Sequence, residues 1–212
     1  MGFIIKEHFN DDVVLGIWEI TEDYDTLRSF LNLDETDIET VEQFKNHQRK
    51  LEWLSVRTLL KSMLGHDSKI VYGPERKPYL KNNSYNISIS HSKNLTAILI
   101  SKKKRVGLDL EFMSDKILRI ADKFLRPEEL EAIDKEKEVY HLYLHWCAKE
   151  ALYKICDKVD INFVTNLNIE PFKPKDNGII TGNVNNSYMN EKFTLSYFNL
   201  KNYSIVWCYK KI

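Results

Sequence analysis

The sequence predicts an α+β fold built as a pseudo-dimer of two similar subdomains, and three observations support this prediction. Each half of the 212-residue chain has a helical section followed by two strand patterns joined by a short polar link. The closing strand pairs cover 85–101, linked by Lys93-Asn94, and 193–210, linked by Lys201-Asn202. The polar segment KKKR separates the halves. We therefore expect an N-terminal subdomain at 1–104 and a C-terminal subdomain at 105–212.

In the first half, a strand and a long helix precede the hairpin. The apolar run VVLGIWEI at 13–20 is typical of a buried strand. The pattern from 38 to 64 predicts one helix, with Thr36 or Asp37 at its N-cap and Gly65 at its C-cap. The prolines in YGPERKPYL, at 72–80, predict a loop because proline cannot continue a helix.

In the second half, strand and helix patterns alternate before the final hairpin. VGLDLE at 106–111 predicts a strand, with Leu108 and Leu110 facing the core and Asp109 and Glu111 on the opposite face. Further elements are predicted as follows: a helix over 115–125 capped by Ser114, a helical turn from Pro127, a helix over about 138–156, and strands at 162–170 and 179–184.

Composition excludes several classes of function. The 31 basic and 31 acidic residues cancel, so no global field favours nucleic acid. No run of about 18 apolar residues predicts a membrane span. The cysteines form no CxxC pair, so neither a zinc site nor a disulfide framework is expected, and buried thiols in a reducing cytoplasm are predicted: Cys147, Cys156 and Cys208.

The stretch WCAKEALYK, at 146–154, combines charged residues and tryptophan on one predicted helix. A helix advances about 100° per residue, so Trp146, Glu150 and Lys154 share a stripe and Lys149 lies at its edge. The structural alternative is an amphipathic helix with an ordinary Glu–Lys pair, which contributes only about 0.2–0.5 kcal/mol.

Two carboxylates on one strand face need a compensating partner. Asp109 and Glu111 repel each other at this spacing unless water or a cation lies beside them. A divalent cation such as Mg²⁺, which prefers one or two carboxylates together with water and phosphate oxygens, would satisfy both. Bulk water at a strand end remains the alternative.

Basic residues in the first half form candidate anion contacts. Arg49 and Arg57 share one side of the predicted helix with Trp53, and Lys77 lies in an Arg-Lys-Pro loop. Ser90 and His91 lie at the end of a predicted strand. A lone histidine there is more often structural, although it can also donate a hydrogen bond to phosphate.

Taken in chain order, these elements resemble the 4′-phosphopantetheinyl transferases, specifically the larger monomeric, surfactin-synthetase-activating type. The family pattern Gly-x-Asp-x-Glu matches Gly107, Asp109 and Glu111. The pattern Trp-x-x-Lys-Glu-x-x-x-Lys follows about 40 residues later, at 146–154. The resemblance implies a fold of two pseudo-equivalent halves with the active site in the cleft between them.

The resemblance also implies roles for the second-half residues. Asp109, Glu111 and Glu150 would hold Mg²⁺ beside the pyrophosphate of coenzyme A. Glu150 would accept the proton of the carrier-protein serine, and Lys154 would contact the pyrophosphate. Lys149 would supply positive potential or orient Glu150, unless it is simply an exposed helix lysine.

For the first half, the resemblance implies contacts with the nucleotide end of coenzyme A. Arg49 and the Ser90-His91 pair match positions that bind the ribose 3′-phosphate. Lys77 matches an adenine-side position, although Arg76 replaces the usual glycine before it. Arg57 matches a further family arginine, for which a structural role is the alternative.

The implied reaction converts coenzyme A and an apo acyl or peptidyl carrier protein into the holo carrier and adenosine 3′,5′-bisphosphate. The carrier is expected to be acidic, and the enzyme monomeric. Two alternatives use the same residues or the same fold. One is a Mg²⁺-dependent hydrolase of nucleotide pyrophosphates, and the other is a non-catalytic carrier-protein binder.

Overall fold

The computed structural model describes residues 2–9, 12–73, 76–156 and 161–211. The chain divides into two compact units, Met1–Lys102 (unit 1) and Lys103–Ile212 (unit 2). Both units combine helices with antiparallel sheet, so the predicted α+β class is confirmed. The assignment of a separate role to each predicted half stays a prediction. None of the described helices is long and apolar enough to cross a membrane.

Unit 1 packs helices against a four-stranded sheet of order β1-β2-β6-β5. A short two-stranded sheet, β3-β4, includes both ends of the predicted proline-containing loop, of which residues 74 and 75 lie outside the described ranges. The elements are β1 (Phe3–Phe9), β2 (Val13–Glu19), α1 (Tyr24–Ser29), α2 (Glu35–Glu42), α3 (His47–Leu64), β3 (Ile70–Tyr72), β4 (Pro78–Leu80), β5 (Asn86–Ser92) and β6 (Leu95–Ser101).

The prediction of one helix over 38–64 was wrong, because a second N-cap at Asn46 divides it. The Asp34 carboxylate accepts the Asp37 N–H and starts α2 earlier than Thr36 or Asp37 would have done. The Asn46 side chain then accepts the Gln48 N–H, so α3 begins as a separate helix. The predicted C-cap is confirmed, since Gly65 has a left-handed φ of 80°.

Unit 2 packs one long helix, α5, against a five-stranded sheet of order β7-β11-β10-β9-β8. Both predicted hairpins, β5–β6 in unit 1 and β10–β11 here, are present. The elements of unit 2 are β7 (Lys104–Phe112), α4 (Pro127–Glu131), α5 (Glu138–Ile155), β8 (Leu167–Ile169), β9 (Asn177–Asn185), β10 (Asn190–Leu200) and β11 (Tyr203–Lys211).

The segment after β7 differs from the predicted helix over 115–125. It forms two short 3-10 helices, Asp115–Arg119 and Ala121–Lys123, and Ser114 provides no side-chain cap. Short 3-10 turns let Ile117, Phe124 and Leu125 all enter one apolar cluster under α5. The predicted strand over 162–170 is also shorter, because only 167–169 pair with β9. All three cysteines, each within the described ranges, are buried thiols as predicted.

Helix α5 lies directly on strand β7, and Gly107 permits this close approach. A Cβ atom at Gly107 would lie 2.1 Å from the Ala151 carbonyl oxygen and 3.0 Å from Ile155 Cβ. A backbone oxygen in the middle of a helix cannot move aside without shifting the helix. The glycine of the Gly-x-Asp-x-Glu pattern therefore sets the distance between this helix and this strand.

Two histidines are buried along α5, one turn apart. His141 and His145 are each 1% exposed, and the His145 ring stacks on Phe172 with centroids 5.2 Å apart. His141 Nδ1 accepts the Asp134 N–H, whereas its Nε2 has no hydrogen-bond partner among the described residues. Burial lowers the pKa of both imidazoles, that of His145 to about 3.

Replacing Gly107 by alanine should displace α5 and destabilise the protein. We expect Gly107→Ala to lower the free energy of unfolding by about 3 kcal/mol, as overpacking against a backbone atom does. Urea titration followed by circular dichroism would measure the change. Gly16→Ala is the matched control, since its added Cβ would meet the flexible end of Met63 instead. A loss of about 1 kcal/mol or less is expected there. Equal losses in both variants would contradict this account of α5.

Acid should destabilise the protein through its buried histidines. An unfolded histidine binds its proton near pH 6.5, but folded His145 binds one only near pH 3. Stability therefore falls as the pH falls between these values, by about 2 kcal/mol between pH 8 and pH 5 from His145 alone.

The variant His145→Phe keeps the aromatic packing and removes this titration. It should flatten that part of the dependence of the unfolding free energy on pH, measured by urea titration at several pH values. The exposed His47→Gln is the control and should keep the parent profile. An unchanged acid dependence in His145→Phe would disprove the assignment.

Candidate active site

The carboxylates of β7 face helix α5. Strand alternation places Gly107, Asp109 and Glu111 on one face, and Gly107 contacts α5. On the neighbouring strand Asp109 is paired with Val206, which belongs to the apolar core beneath that helix. Asp109 is only 4% exposed and Glu111 is half-buried. Both carboxylates thus enter the interface between strand and helix.

Both faces of β7 are covered, which strand alternation alone did not predict. Leu108 and Leu110 are fully buried on one face, as expected, but Asp109 is almost as deeply buried on the other. The expectation that water could compensate both carboxylates is therefore wrong for Asp109. A buried carboxylate needs a paired cation or hydrogen-bond donors.

Lys154 supplies a cation for Asp109. Its ammonium lies 2.8 Å from Asp109 Oδ1 and donates a second hydrogen bond to the Leu108 carbonyl oxygen at 2.9 Å. Lys154 lies one helical turn beyond Glu150, so both residues share the stripe predicted from the sequence. The Lys154 side chain keeps 21% of its surface exposed, so this charge is accessible to solvent.

Cys147 reports on the electrostatics of the site, although the sequence identified it only as a buried thiol. Its Sγ donates to the Ser204 carbonyl oxygen at 3.8 Å. Burial, followed by the negative charges of Asp109 and Glu111, raises the pKa of this thiol far above its usual value. Both carboxylates therefore act on the same point of α5, three residues before Glu150. The helical stripe from Cys147 to Lys154 was the signal that could have placed it here.

The predicted metal ligands carry the type of donor atom that a hard cation prefers. Asp109, Glu111 and Glu150 offer only carboxylate oxygens, and Asp109 already binds the ammonium of Lys154. Among the residues described, no group of three or more histidine, cysteine or acidic side chains is placed so that it could hold a metal ion. Mg²⁺ commonly binds through one or two carboxylates with water and substrate phosphates, so an open set suits it.

Lys149 lies away from these carboxylates, so of its two predicted roles only the orientation of Glu150 stays a prediction. Its side chain is fully buried, and its ammonium donates to Glu129 Oε2 at 2.6 Å and to the Phe124 and Phe163 carbonyl oxygens. Trp146 packs against the rings of the same two phenylalanines. Lys149 is therefore neither an exposed lysine nor a source of accessible positive charge.

In unit 1 the structure brings Arg49 and His91 together from positions 42 residues apart. Arg49 Nη1 lies 2.6 Å from His91 Nε2 and 3.1 Å from Glu52 Oε2. Because a guanidinium can only donate, His91 Nε2 accepts here, and its Nδ1 faces Glu52 at 3.5 Å. The Arg49 side chain is 45% exposed, so these neighbours orient a cation that solvent can reach.

Two other residues predicted for unit 1 do not join this pair. Strand alternation puts Ser90 on the opposite face of β5 from His91, and it is buried. Arg57 is buried as well, with its guanidinium 3.2 Å from the centroid of the Trp53 ring. It lies about 12 Å along α3 from Arg49. Burial lowers the pKa of Arg57 to about 10, and the structural alternative describes this arginine better.

The Arg-Lys-Pro loop adopts a tight turn. Arg76 has a φ of 54°, a left-handed conformation that glycine adopts most easily. This explains why glycine suits the position and why arginine is strained there. The backbone of Lys77 pairs with Gly73, and its ammonium lies 5.7 Å from the centroid of the Tyr79 ring.

Comparison with known proteins shows which family unit 2 resembles. Residues 105–208 match the model of the 4′-phosphopantetheinyl transferase superfamily. One curated relative is the 4′-phosphopantetheinyl transferase AcpT of Escherichia coli O157:H7, 26% identical over 119 residues, or 53% of this chain. AcpT of Salmonella typhi is 30% identical over 112 residues, or 50% of this chain.

The matches cover 61% and 58% of these two relatives, so the chain spans about three fifths of their length. The matched region of the family model begins in β7 and ends in β11, and so includes Gly107, Asp109, Glu111 and the whole of α5. Residues 105–208 of this chain are therefore similar to the 4′-phosphopantetheinyl transferase superfamily.

Proposed function

We propose that this protein transfers the 4′-phosphopantetheine arm of coenzyme A to a serine of an apo carrier protein. The main support is a single arrangement in unit 2. Strand β7 presents Asp109 and Glu111 to the helix that carries Glu150 and Lys154, within the segment that matches the family. The curated relatives are themselves named as 4′-phosphopantetheinyl transferases.

This arrangement suits the chemistry of phosphoryl transfer. Moving a phosphate-linked group from a pyrophosphate to a hydroxyl requires positioning, a proton acceptor and positive charge around the transferred phosphoryl group. The enzyme need not form a covalent intermediate. We propose that Glu150 accepts the proton of the carrier serine and that Lys154, oriented by Asp109, neutralises charge on the pyrophosphate.

Asp109, Glu111 and Glu150 are proposed to hold Mg²⁺. When bound, the ion would neutralise pyrophosphate charge and help the bisphosphate to leave. Because Asp109 is buried and already paired with Lys154, it would serve to fix the site, whereas the half-buried Glu111 and Glu150 remain more accessible. Leu110 lies between the two acids and supplies no ligand, so water would complete the coordination.

In unit 1, Arg49 and His91 are proposed to bind the ribose 3′-phosphate of coenzyme A. A guanidinium that is half exposed and held by Glu52 can offer its remaining N–H donors to a dianion. Lys77 is proposed to contact the adenine side. Ser90 keeps its predicted contact with coenzyme A only as a proposal, because it lies on the other face of β5.

We further propose that the enzyme belongs to the larger monomeric type, acts in the cytoplasm and serves an acidic acyl or peptidyl carrier protein. The balanced composition of 31 basic and 31 acidic residues gives no support for nucleic acid as a partner. Local basic residues would instead meet the acidic carrier.

The function can be tested by intact mass spectrometry of apo carrier proteins incubated with the enzyme, coenzyme A and Mg²⁺. We expect the carrier to gain the mass of one phosphopantetheine arm, and EDTA to prevent this gain. Cleavage of coenzyme A without modification of any carrier would favour the hydrolase instead. If coenzyme A and several unrelated carriers all stay unchanged, the non-catalytic carrier-protein binder is the alternative that remains.

The same assay tests Glu150. Glu150→Gln keeps the shape of the side chain but removes its charge, so transfer should fall by about 10²-fold or more. Glu138→Gln is the matched control, because Glu138 lies on the same helix and pairs with exposed Lys135. That variant should transfer at the parent rate. Full activity in Glu150→Gln would remove Glu150 from the proposed roles of base and ligand.

The role of Arg49 can be isolated by comparing two substrates. Arg49→Ala should raise the KM for coenzyme A about ten-fold, since a charged hydrogen bond to phosphate is lost. The KM for 3′-dephospho-coenzyme A should change less than about two-fold, because that substrate lacks the phosphate. Lys61→Ala on the same helix, which removes a cation paired with Asp67, should change neither value. Equal increases for both substrates in Arg49→Ala would exclude a 3′-phosphate contact.

A further inference from the structure

Lys149 and Glu150 are adjacent in the sequence but serve different surroundings. Lys149 has no exposed surface, and its ammonium meets three acceptors: Phe124 O at 2.7 Å, Glu129 Oε2 at 2.6 Å and Phe163 O at 3.0 Å. An ammonium has three N–H donors, so its hydrogen-bonding capacity is fully used. The side chain is therefore fixed in direction as well as buried.

Glu129 is the centre of the same network. Its Oε1 accepts the Ile169 N–H at 2.8 Å, and its Oε2 accepts the Arg126 N–H at 2.8 Å in addition to Lys149. The Arg126 guanidinium in turn donates to the carbonyl oxygens of Val164 and Thr165. One buried carboxylate therefore connects the start of α4, strand β8 and the middle of α5.

Stability alone is a poor explanation for this pair. Burial lowers the pKa of Lys149, which shows that enclosing its charge has a cost. Apolar residues of similar volume often replace a buried ion pair without loss of stability. The pair differs from apolar packing in its directionality, since each hydrogen bond accepts only a narrow range of positions.

On the side of α5 that faces β7, the helix makes a close contact with the strand through Gly107 and Ala151. Gly107 and Ala151 are small and smooth, so they set how close the helix lies but hardly restrict its rotation or sliding. A rotation of α5 would move Glu150 and Lys154 together, because they share one stripe of the helix. Fixing Lys149 consequently fixes the direction of both.

We propose that the buried Lys149–Glu129 ion pair is a positioning device that fixes the rotation and register of α5, and thereby aims Glu150 and Lys154 at the β7 carboxylates. The part that concerns catalysis rests on the proposed transferase function. Lys149 and Glu129 are positioning residues, since they act through the helix and touch no reacting atom.

The test removes both charges together. Lys149→Met/Glu129→Leu keeps approximate volume and leaves no buried charge unpaired, but it removes the partners of buried backbone groups such as the Ile169 N–H. The Tm should therefore fall by several degrees, and kcat is measured at a temperature at which the variant is folded. We expect kcat for carrier modification to fall about ten-fold or more, because small misplacements of reacting groups are costly. The KM for coenzyme A should change less than about two-fold. A matched control, Lys210→Met/Glu191→Leu, removes a partly exposed ion pair of the same unit and should leave kcat unchanged.

A second readout needs no activity. The coupling free energy between Lys154 and Asp109 can be obtained from unfolding of Lys154→Gln, Asp109→Asn and their combination, in the parent and in the double variant. If α5 loses its register, this coupling should fall to half or less. If the parent protein shows no transferase activity, the proposed function is refuted. The coupling free energy between Lys154 and Asp109 would still test the positioning role, because it is measured without activity.

Unchanged kcat together with unchanged coupling in a folded double variant would overturn the proposal. Should that variant fail to fold, Glu129→Gln provides the milder test. It keeps the shape of the side chain and an oxygen acceptor but removes the charge. We then expect kcat to fall about two- to five-fold with reduced Lys154–Asp109 coupling, and parent values for both would overturn the proposal equally.

Discussion

The contact between Gly107 and Ala151 is the constraint on which the architecture of unit 2 depends. With only a hydrogen atom between them, helix α5 lies on strand β7 closely enough for side chains on one element to reach backbone atoms of the other. Lys154 consequently donates to the Leu108 carbonyl oxygen as well as to Asp109. A bulkier residue at position 107 would push helix α5 away from strand β7 and so increase the distance between Lys154 and Asp109.

Helix α5 carries two lysine–carboxylate pairs with opposite degrees of enclosure. Lys149 and Glu129 are almost completely inaccessible, with side chains 0% and 2% exposed, and every donor of Lys149 is used. The Lys154 side chain keeps 21% of its surface exposed, whereas its partner Asp109 keeps only 5%. An ion pair that solvent cannot reach contributes only to the structure. A lysine that remains partly exposed can also form an interaction with a ligand. This difference in exposure supports the proposed division between a positioning role for Lys149 and a chemical role for Lys154.

The sequence predicted α5, β7 and both hairpins because their hydrophobic periods are long and uninterrupted. It failed where a single polar side chain decides the outcome. The Asn46 cap divides the helix predicted over 38–64, and the Asp34 cap moves the start of its first part to Glu35. Glu129 could not be found, because a partner 20 residues from Lys149 leaves no periodic signal. Asp109 was placed on the correct face, but its burial depends on a helix some 40 residues away.

Arg49 and Lys154, two accessible cations of the candidate sites, are each held in place by a carboxylate. Glu52 contacts both Arg49 and His91, and Asp109 contacts Lys154. Such a carboxylate weakens the net positive charge offered to a phosphate, but it also removes the conformational freedom that a long side chain would otherwise lose on binding. For a reaction that depends on placing a pyrophosphate and a hydroxyl in line, accurate placement is worth more than additional charge. Both units thus favour preorganised cations over strongly positive surfaces, which agrees with a chain whose net charge is zero.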